Sequence, residues 1–590
     1  MRVEYDLSPA AASDTAQGAA AVVLKFGSSV LRTSGDLPAV ASEIYRHVRD
    51  GRKVVAVVSA FAGETDALIA EAAAAGAGVL SRHAPRLISL GEERSAALLA
   101  ITCETIGLDA RILGARAISL RAGGPVNDAE PVGVDADGLR DELARRDVVI
   151  VPGFVALGAA GEPVLLGRGG SDLTAVFLAA ALGLPETTLM KDVDGVYDRD
   201  PATAGASALR YRRLDWQGAR EVAGRLLQPK AIDFAASHEI AIRVLRLNGD
   251  DGTLVSSRAA APSPSTRPEK LRVAIAGLGL IGEGAALRLA HANPDHELCA
   301  ALVREPFKER PLLPIGQVTN DMTAFFATRP DVVIDALPDG RAGRALIRAA
   351  LARGVSVVTA NKQAIAAAMA ELSALAAKTG AYFAYSPSVG GGAPLVEAAL
   401  RASGSARSIE AALNGTVNFI LTSLAEGGSF DDAVKAAQAA GFAEPDPSAD
   451  LSGADARAKL AILSYAAFGR EIDLAAIEIE ALDAAKAARF AASGGVWKQL
   501  ARLDMREDGA LVASVRFERR DDDPLFAGAR WESNAMRLRL EDGRTIECRG
   551  KGAGRGPTVE SILADLSDIR RVLAGRAPAQ AALAKEAVSA

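Results

Sequence analysis

The sequence predicts an α/β protein of two successive units, each built on a parallel sheet, joined by a short linker. Three observations carry this expectation. At 590 residues the chain is too long for one hydrophobic core, since domains generally run about 100–200 residues. Two apolar, β-rich runs, AVVLKF at 21–26 and LRVAIAG at 271–277, each pass into a glycine turn and then into helical sequence. Between them, SSRAAAPSPSTRPEK at 256–270 holds three prolines and several serines, the composition of a linker.

Composition narrows the function classes. Apolar residues at 49% against 24% charged ones describe a chain that buries a core. A formal net charge of -6 leaves no broad basic surface, so nucleic acid is not an expected partner. Cys103, Cys299 and Cys548 lie far apart, without the close pairs of a zinc knuckle or redox dithiol, and read as buried thiols in a reducing compartment. His47, His83, His238, His291 and His296 form no short metal-ligand motif. No run approaches the roughly 20 apolar residues of a membrane span. Residues 1–20 carry Glu4, Asp6 and Asp14 where a leader would be basic and then apolar. They read as a poorly ordered extension, and the protein is expected in the cytoplasm.

The first unit opens with Lys25 at a strand end and Gly27, Ser28 and Ser29 in the turn, where backbone N–H groups can face phosphate oxygens. Such a lysine taken alone is also compatible with a surface charge. A strand, VVAVVSA, follows at 54–60, and at 167–174 GRGGSDLT gathers glycines and hydroxyls at a helix N-terminus suited to anions. KDVDGVYDRDP follows at 191–201. With Ser89-Leu90-Gly91-Glu92 and Gln228-Pro229-Lys230-Ala231 in the same order, these segments resemble the amino-acid kinase family, aspartate kinases in particular. The resemblance implies a three-layer α/β sandwich over 21–257. It places Lys25 on the transferring phosphoryl group and Gly27 and Ser28 in the phosphate turn. Glu92, Arg168, Ser171 and Asp172 would hold aspartate, and Asp192, Asp194, Tyr197 and Lys230 would frame ATP, whose phosphates magnesium bridges. The chemistry suits these residue types, because phosphoryl transfer to a carboxylate relies on positioning and cationic stabilisation and needs no protein base. Two segments depart from the aspartate-kinase pattern: KFGSS stands for KFGGTS, and GEERS for GERxS. KFGSSV also resembles the opening of glutamate 5-kinases, so that loop alone leaves either acidic amino acid as acceptor.

In the second unit Gly277-Leu278-Gly279-Leu280-Ile281-Gly282 follows a strand and opens a helix, the context a dinucleotide site requires. Arg304 stands 22 residues beyond Gly282, where an NAD-selective site usually has an acidic residue, and favours the 2′-phosphate of NADP. Glu305 follows directly and is itself able to reach a ribose. The alanine-rich tract at 364–378 reads as helix. Further on stand VVTANK (357–362), SVGGGAP (388–394), LNGTVN (413–418), GFAEPDP (441–447), Asp455 with Lys459, and GKGAG (550–554). This series resembles homoserine dehydrogenases. The resemblance implies a Rossmann domain at 270–400, an α+β catalytic and dimerisation domain at 401–545, and a return to the Rossmann domain within 546–590. Asp455 and Lys459, four residues apart, share a helix face, a spacing that by itself marks an ordinary salt bridge.

From the family, Lys459 is the proton donor and Lys362 lies near the same oxygen and the nicotinamide, while Glu444 and Asp455 anchor the substrate's amino group. Gly441 and Gly554 join the glycine loop among the cofactor contacts. Backbone carbonyls of Val389, Gly391 and Ala393 imply a monovalent cation, sodium, although the usual acidic neighbour is Ser386 here. Homodimerisation through the dehydrogenase is implied as well. The small ACT regulatory domains usual between such halves have no room at 258–269. The whole chain is thus expected to phosphorylate aspartate and to reduce aspartate 4-semialdehyde. The alternative is a dehydrogenase whose kinase-like half is an inactive scaffold or sensor.

Overall fold

The computed structural model describes residues 21–78, 81–200, 203, 208–222, 224, 226–249, 251–264, 270–292, 295–310, 313–443 and 445–573. The expected extension 1–20, Pro201 and Glu444 lie outside the described residues. Contacts divide the chain into units 1–267 and 268–590.

The first unit is organised by a mainly parallel sheet whose centre runs Ala241–Arg246, Glu186–Lys191, Ala21–Phe26, Lys53–Val58, Val148–Pro152 and Ala110–Ile112. Continuous Val and Leu runs are what a strand covered on both faces requires. Val23, Val55, Val57, Val149 and Val151 share one core with helices Gly170–Ala181 and Pro229–Ser237. Leu24, Phe26, Val54, Ala56 and Val58, pointing the other way, are equally buried beneath Leu37–Arg49 and Leu90–Ile106. A four-stranded sheet, Glu130–Gly133, Arg121–Gly123, Val155–Leu157 and Pro163–Leu165, completes this α/β sandwich.

The expected linker 258–269 is corrected at 261–264. Ala261–Pro264 pairs antiparallel with Leu209–Leu214 at the edge of the large sheet. Proline lacks an N–H, and an edge strand is where that loss is tolerated, so the proline content did not exclude a strand.

In the second unit six parallel strands are ordered Gln317–Thr319, His296–Leu302, Leu271–Ala276, Val332–Asp335, Ser356–Thr359 and Phe383–Ala384. In chain order this is 3-2-1-4-5-6, with the topological reversal beside Leu271–Ala276, where doubly wound sheets bind dinucleotides. The second sheet is mostly antiparallel and runs Glu478–Ile479, Leu511–Arg519, Trp497–Met505, Ala406–Ala412, Ser533–Leu540 and Thr545–Lys551.

Two expected boundaries cut through elements. Helix Leu395–Arg401 crosses the boundary at 400, and Leu395, Val396, Ala398 and Ala399 pack in the core that also holds Leu460 and Met536. Strand Thr545–Lys551 belongs to the second sheet, so the return to the Rossmann sheet comes only with helix Arg555–Leu573. There Ile562, Leu566 and Ile569 pack on Val273, Ile275 and Leu289, and ion pairs Arg288–Glu560 and Arg570–Asp295 flank the contact.

The tract 364–378 forms two helices, Lys362–Ile365 and Met369–Thr379, in place of one. The Glu471 carboxylate accepts from Ala370 N–H at 2.9 Å and satisfies one of the orphan donors that the break creates. Cys103 and Cys299 are buried; Cys548 is only half-buried, because it lies on an edge strand. Among the described residues no helix is long and apolar enough to cross a membrane.

Candidate active sites

In the first unit a cavity of about 890 Å³ is lined by Lys25, Gly27, Ser28, Ser29, Glu92, Arg168, Ser171, Asp172, Lys191 and Asp192, among others. Lys25 is the penultimate residue of the central strand, and Asp172 sits in the first turn of helix Gly170–Ala181, where the helix dipole favours a carboxylate. Gly169, in the left-handed region at φ +78°, starts that helix; a Cβ there would stand 2.1 Å from Gln228 Cγ. Lys25 Nζ lies 2.6 Å from Asp172 Oδ1, and Lys191 Nζ 3.1 Å from Asp172 Oδ2. Burial raises the Asp172 pKa, but Lys25 and Lys191 outweigh it and hold the carboxyl below its ordinary value. Burial lowers the Lys25 ammonium against the opposing pull of Asp172.

Glu92 accepts from Ala60 N–H at 3.2 Å, and burial pushes its carboxyl up to about 7. The two sequence departures fall differently. Gly27, Ser28 and Ser29 of KFGSS line the cavity, whereas Glu93 and Arg94 of GEERS are exposed, and Arg94 pairs with Glu64 at 3.0 Å. Glu92 and Ser95 of that segment stay inside, with the Ser95 hydroxyl donating to the Ser59 carbonyl at 2.7 Å.

Asp194, Tyr197 and Lys230 do not line this cavity. Tyr197 donates to Asp194 at 2.7 Å, Arg210 holds the other Asp194 oxygen at 3.2 Å, and Lys230 pairs with Asp128 at 2.6 Å.

In the second unit the glycine loop divides three tasks. Gly277 has φ +89°, and a Cβ there would meet the Ala336 carbonyl at 2.6 Å; one at Gly282 would meet the Gly277 carbonyl at 1.9 Å. A Cβ at Gly279 would meet nothing within 4 Å, which leaves open the space a pyrophosphate needs at the start of helix Leu280–Ala292. Leu280 at that helix start is 62% exposed and Ile281 partly buried. Gly279→Leu is therefore expected to leave the melting temperature within about 2 °C of the parent while raising KM for the nicotinamide cofactor at least about tenfold. A cofactor titration against a thermal melt checks both, and unchanged KM would remove the loop from the binding site.

Lys362 is presented by a buried polar relay. The Thr359 hydroxyl donates to Asp335 Oδ2 at 3.0 Å and accepts from Asn361 N–H at 3.0 Å, and Asn361 caps the short helix through Ala364 N–H. Burial pushes the Asp335 carboxyl up to about 6. Lys362 Nζ then reaches Asp455 Oδ1 at 3.0 Å. The other oxygen, Oδ2, lies 2.8 Å from Lys459 Nζ, which also donates to the Leu413 carbonyl at 2.8 Å. Burial raises the Asp455 pKa, yet Lys459 and Lys362 overcome it and bring the carboxyl down to about 2. Asp450 accepts from the Asn414 amide at 3.0 Å, and burial, then Asp455, raise its carboxyl.

Family models match in order along the chain: the homoserine dehydrogenase NAD binding domain at 277–386 and homoserine dehydrogenase at 395–567. The homoserine dehydrogenase of Synechocystis is 32% identical over 325 residues, covering 51% of this chain and 73% of that protein. This chain belongs to the homoserine dehydrogenase family. A relative described as NAD(+)-dependent homoserine dehydrogenase, from Pseudomonas canavaninivorans, is 35% identical over 40% of this chain and 68% of its own length. Ahead of the homoserine dehydrogenase unit, residues 20–246 match the amino acid kinase family. An aspartate kinase of Stutzerimonas stutzeri is 32% identical over 40% of this chain, which spans 58% of that relative's length.

Of the positions expected in the homoserine dehydrogenase unit, Lys362, Asp455 and Lys459 come into direct contact. The loop 389–393 turns tightly through Gly390 and Gly391 and packs on Gly550 and Gly552, and the Ala393 carbonyl accepts from Leu395 N–H at 2.8 Å. Gly554, at φ +110°, leads into helix Arg555–Leu573; Gly441, at φ +76°, ends the turn after Phe430–Ala439. Arg304 is exposed just beyond strand His296–Leu302. Read from the sequence, Lys191, Asp335 and Asp450 have no separate role. Lys191 was visible in principle, because strand parity aligns it with Lys25, but the pairing register was needed to know that.

Proposed function

We infer that this chain is a bifunctional enzyme: the first unit phosphorylates L-aspartate to 4-phospho-L-aspartate with ATP, and the second reduces L-aspartate 4-semialdehyde to L-homoserine with NAD(P)H. The carrying observation is Asp455 shared between Lys362 and Lys459, with Lys362 at the carboxyl edge of the Rossmann sheet. NAD(P)H, when bound, supplies the hydride. As the aldehyde carbon accepts it, the oxygen gains negative charge, which the Lys459 ammonium stabilises and then neutralises by giving up a proton. Lys362 adds a second positive charge near that oxygen, and Asp455 fixes both ammoniums. A carboxylate oxygen can accept more than one bond, so Asp455 together with Glu444 also serves the substrate's amino group.

In the kinase unit Lys25 faces the transferring phosphoryl group and Arg168, Ser171, Asp172 and Glu92 take the amino acid, while Asp192, Asp194, Tyr197 and Lys230 frame ATP with its magnesium. Exposed Arg304 favours NADP over NAD. Carbonyls of Val389, Gly391 and Ala393 hold sodium, and the enzyme acts in the cytoplasm as a homodimer through its dehydrogenase. Of the two departures behind the inactive-scaffold alternative, the altered Glu93 and Arg94 lie on the surface, while KFGSS lines the cavity and keeps that alternative as the second outcome of the test.

The test is a pair of half-reaction assays on one preparation: aspartate-dependent ADP release, and semialdehyde reduction with NADPH and with NADH. Both activities are expected, with the higher kcat/KM on NADPH. Reduction without ADP release would leave the kinase half a scaffold, and a preference for NADH would remove Arg304 from the cofactor site.

A further inference from the structure

We propose that Lys191 is a second catalytic cation of the phosphoryl-transfer site, contacting the transferring group alongside Lys25. This rests on the kinase reading above. Its basis is the pairing register of the central sheet. Strand Ala21–Phe26 pairs parallel with Glu186–Lys191, with Lys25 opposite Leu189 and Phe26 opposite Met190. The next position brings Lys191 opposite Gly27. Side chains alternate along a strand, so Lys25 and Lys191 emerge on one face of the sheet, two residues apart along its length. That face carries helix Gly170–Ala181, and Asp172 from its first turn meets both ammoniums, one on each oxygen. Lys25 and Lys191 are 6% and 7% exposed, and both line the same cavity with Gly27 and Ser28.

Charge makes the cluster more than a structural salt bridge. Two ammoniums against one carboxylate leave a net positive charge in a largely buried place, which is costly unless an anion arrives to offset it. The cluster borders the cavity beside the Gly27–Ser28 turn, whose backbone suits phosphate oxygens, so a phosphoryl group is an anion that fits there. Among the described residues Asp172 is the one carboxylate in ion-pair contact with either lysine, and Glu92, across the cavity, acts on Lys25 only from a longer distance.

The chemistry balances with charge stabilisation alone. A carboxylate oxygen of aspartate forms a bond to the γ-phosphorus, the bond from that phosphorus to the β,γ-bridging oxygen breaks, and ADP departs with the electron pair. No proton moves. Lys25 and Lys191 lower the barrier by meeting the negative charge that spreads over the phosphoryl oxygens, and Asp172 positions them.

Lys191→Met and Lys191→Arg in the full chain test this, with semialdehyde reduction on the same samples reporting the integrity of the preparation. The methionine variant is expected to lose about 100- to 1,000-fold in kinase kcat, with KM for ATP within about threefold of the parent. Arginine, which keeps the charge, is expected to retain about a tenth or more of the parent rate. Calorimetry with MgADP, aluminium fluoride and aspartate, a mimic of the transferring group, should show affinity weakened about 30-fold or more in the methionine variant, while MgADP alone binds as in the parent. A methionine variant within about threefold of the parent in kcat overturns the proposal while leaving the kinase reading intact. A parent chain without aspartate-dependent turnover overturns the kinase reading, and this proposal with it.

Discussion

Lys459→Ala is expected to lower semialdehyde reduction by about three orders of magnitude while leaving ADP release by the kinase unit unchanged. The size follows from two losses at one atom. Proton donation by a positioned group contributes about 10²–10⁴-fold, and stabilisation of the forming alkoxide by a fixed cation is lost with it. Lys459 has no nearby substitute with the same reach, because Lys362 comes to Asp455 from a different helix and onto its other oxygen. Lys459→Arg separates the two contributions: the guanidinium keeps the charge but does not release a proton near neutral pH, so its rate should fall between parent and alanine. NADPH oxidation followed with saturating semialdehyde gives kcat directly, and an alanine variant within tenfold of the parent would remove Lys459 as the donor.

Asp172→Ala is expected to cost the first unit about 3–5 kcal/mol of stability and to reduce kinase turnover below detection. Asp172 is 3% exposed and holds one buried ammonium on each oxygen. Without it two largely buried lysines face each other with no carboxylate between them. The carboxyl is held below its ordinary value of 3.8, so its contribution is complete above that pH and fades as pH falls through the lowered value. The difference between parent and variant in urea should thus be constant from neutral pH down to about pH 5 and shrink only in stronger acid. A variant destabilised by less than about 1 kcal/mol would mean that the two lysines repack easily, contrary to the close-packed cluster described above.

Much of the dehydrogenase site was legible because its determinants are local. The glycine loop is contiguous, and its steric reasons act within a few residues of Gly277 and Gly282. Asp455 and Lys459 sit one helical turn apart, so their pairing follows from helix geometry. The third member, Lys362, stands 93 positions before Asp455, and nothing local says which oxygen it takes. The relay through Asp335 and Thr359 was hidden for the same reason: it joins the ends of two neighbouring parallel strands. In the kinase unit GEERS looked like an altered substrate loop, yet orientation on helix Leu90–Ile106 puts Glu92 inside and Glu93 and Arg94 outside. Polar and apolar residues of that helix are not segregated to opposite faces, with Glu92 and Ser95 buried and Leu90 and Ile101 exposed, so its inward face could not be read from pattern.

Two α/β units, their order, the glycine loop at Gly277 and the lysine-bearing turns at Lys25 and Lys362 are written in local sequence, because strand runs, glycine turns and helix starts are encoded by short-range sterics and periodicity. Tertiary structure alone decided that proline-rich Ala261–Pro264 closes a sheet edge, that Thr545–Lys551 stays with the second sheet, and that Asp172 and Asp455 are each clamped between two lysines. Those outcomes depend on strand register and helix placement over long separations. Shifting a register by a single residue would turn Lys191 to the opposite face of its sheet.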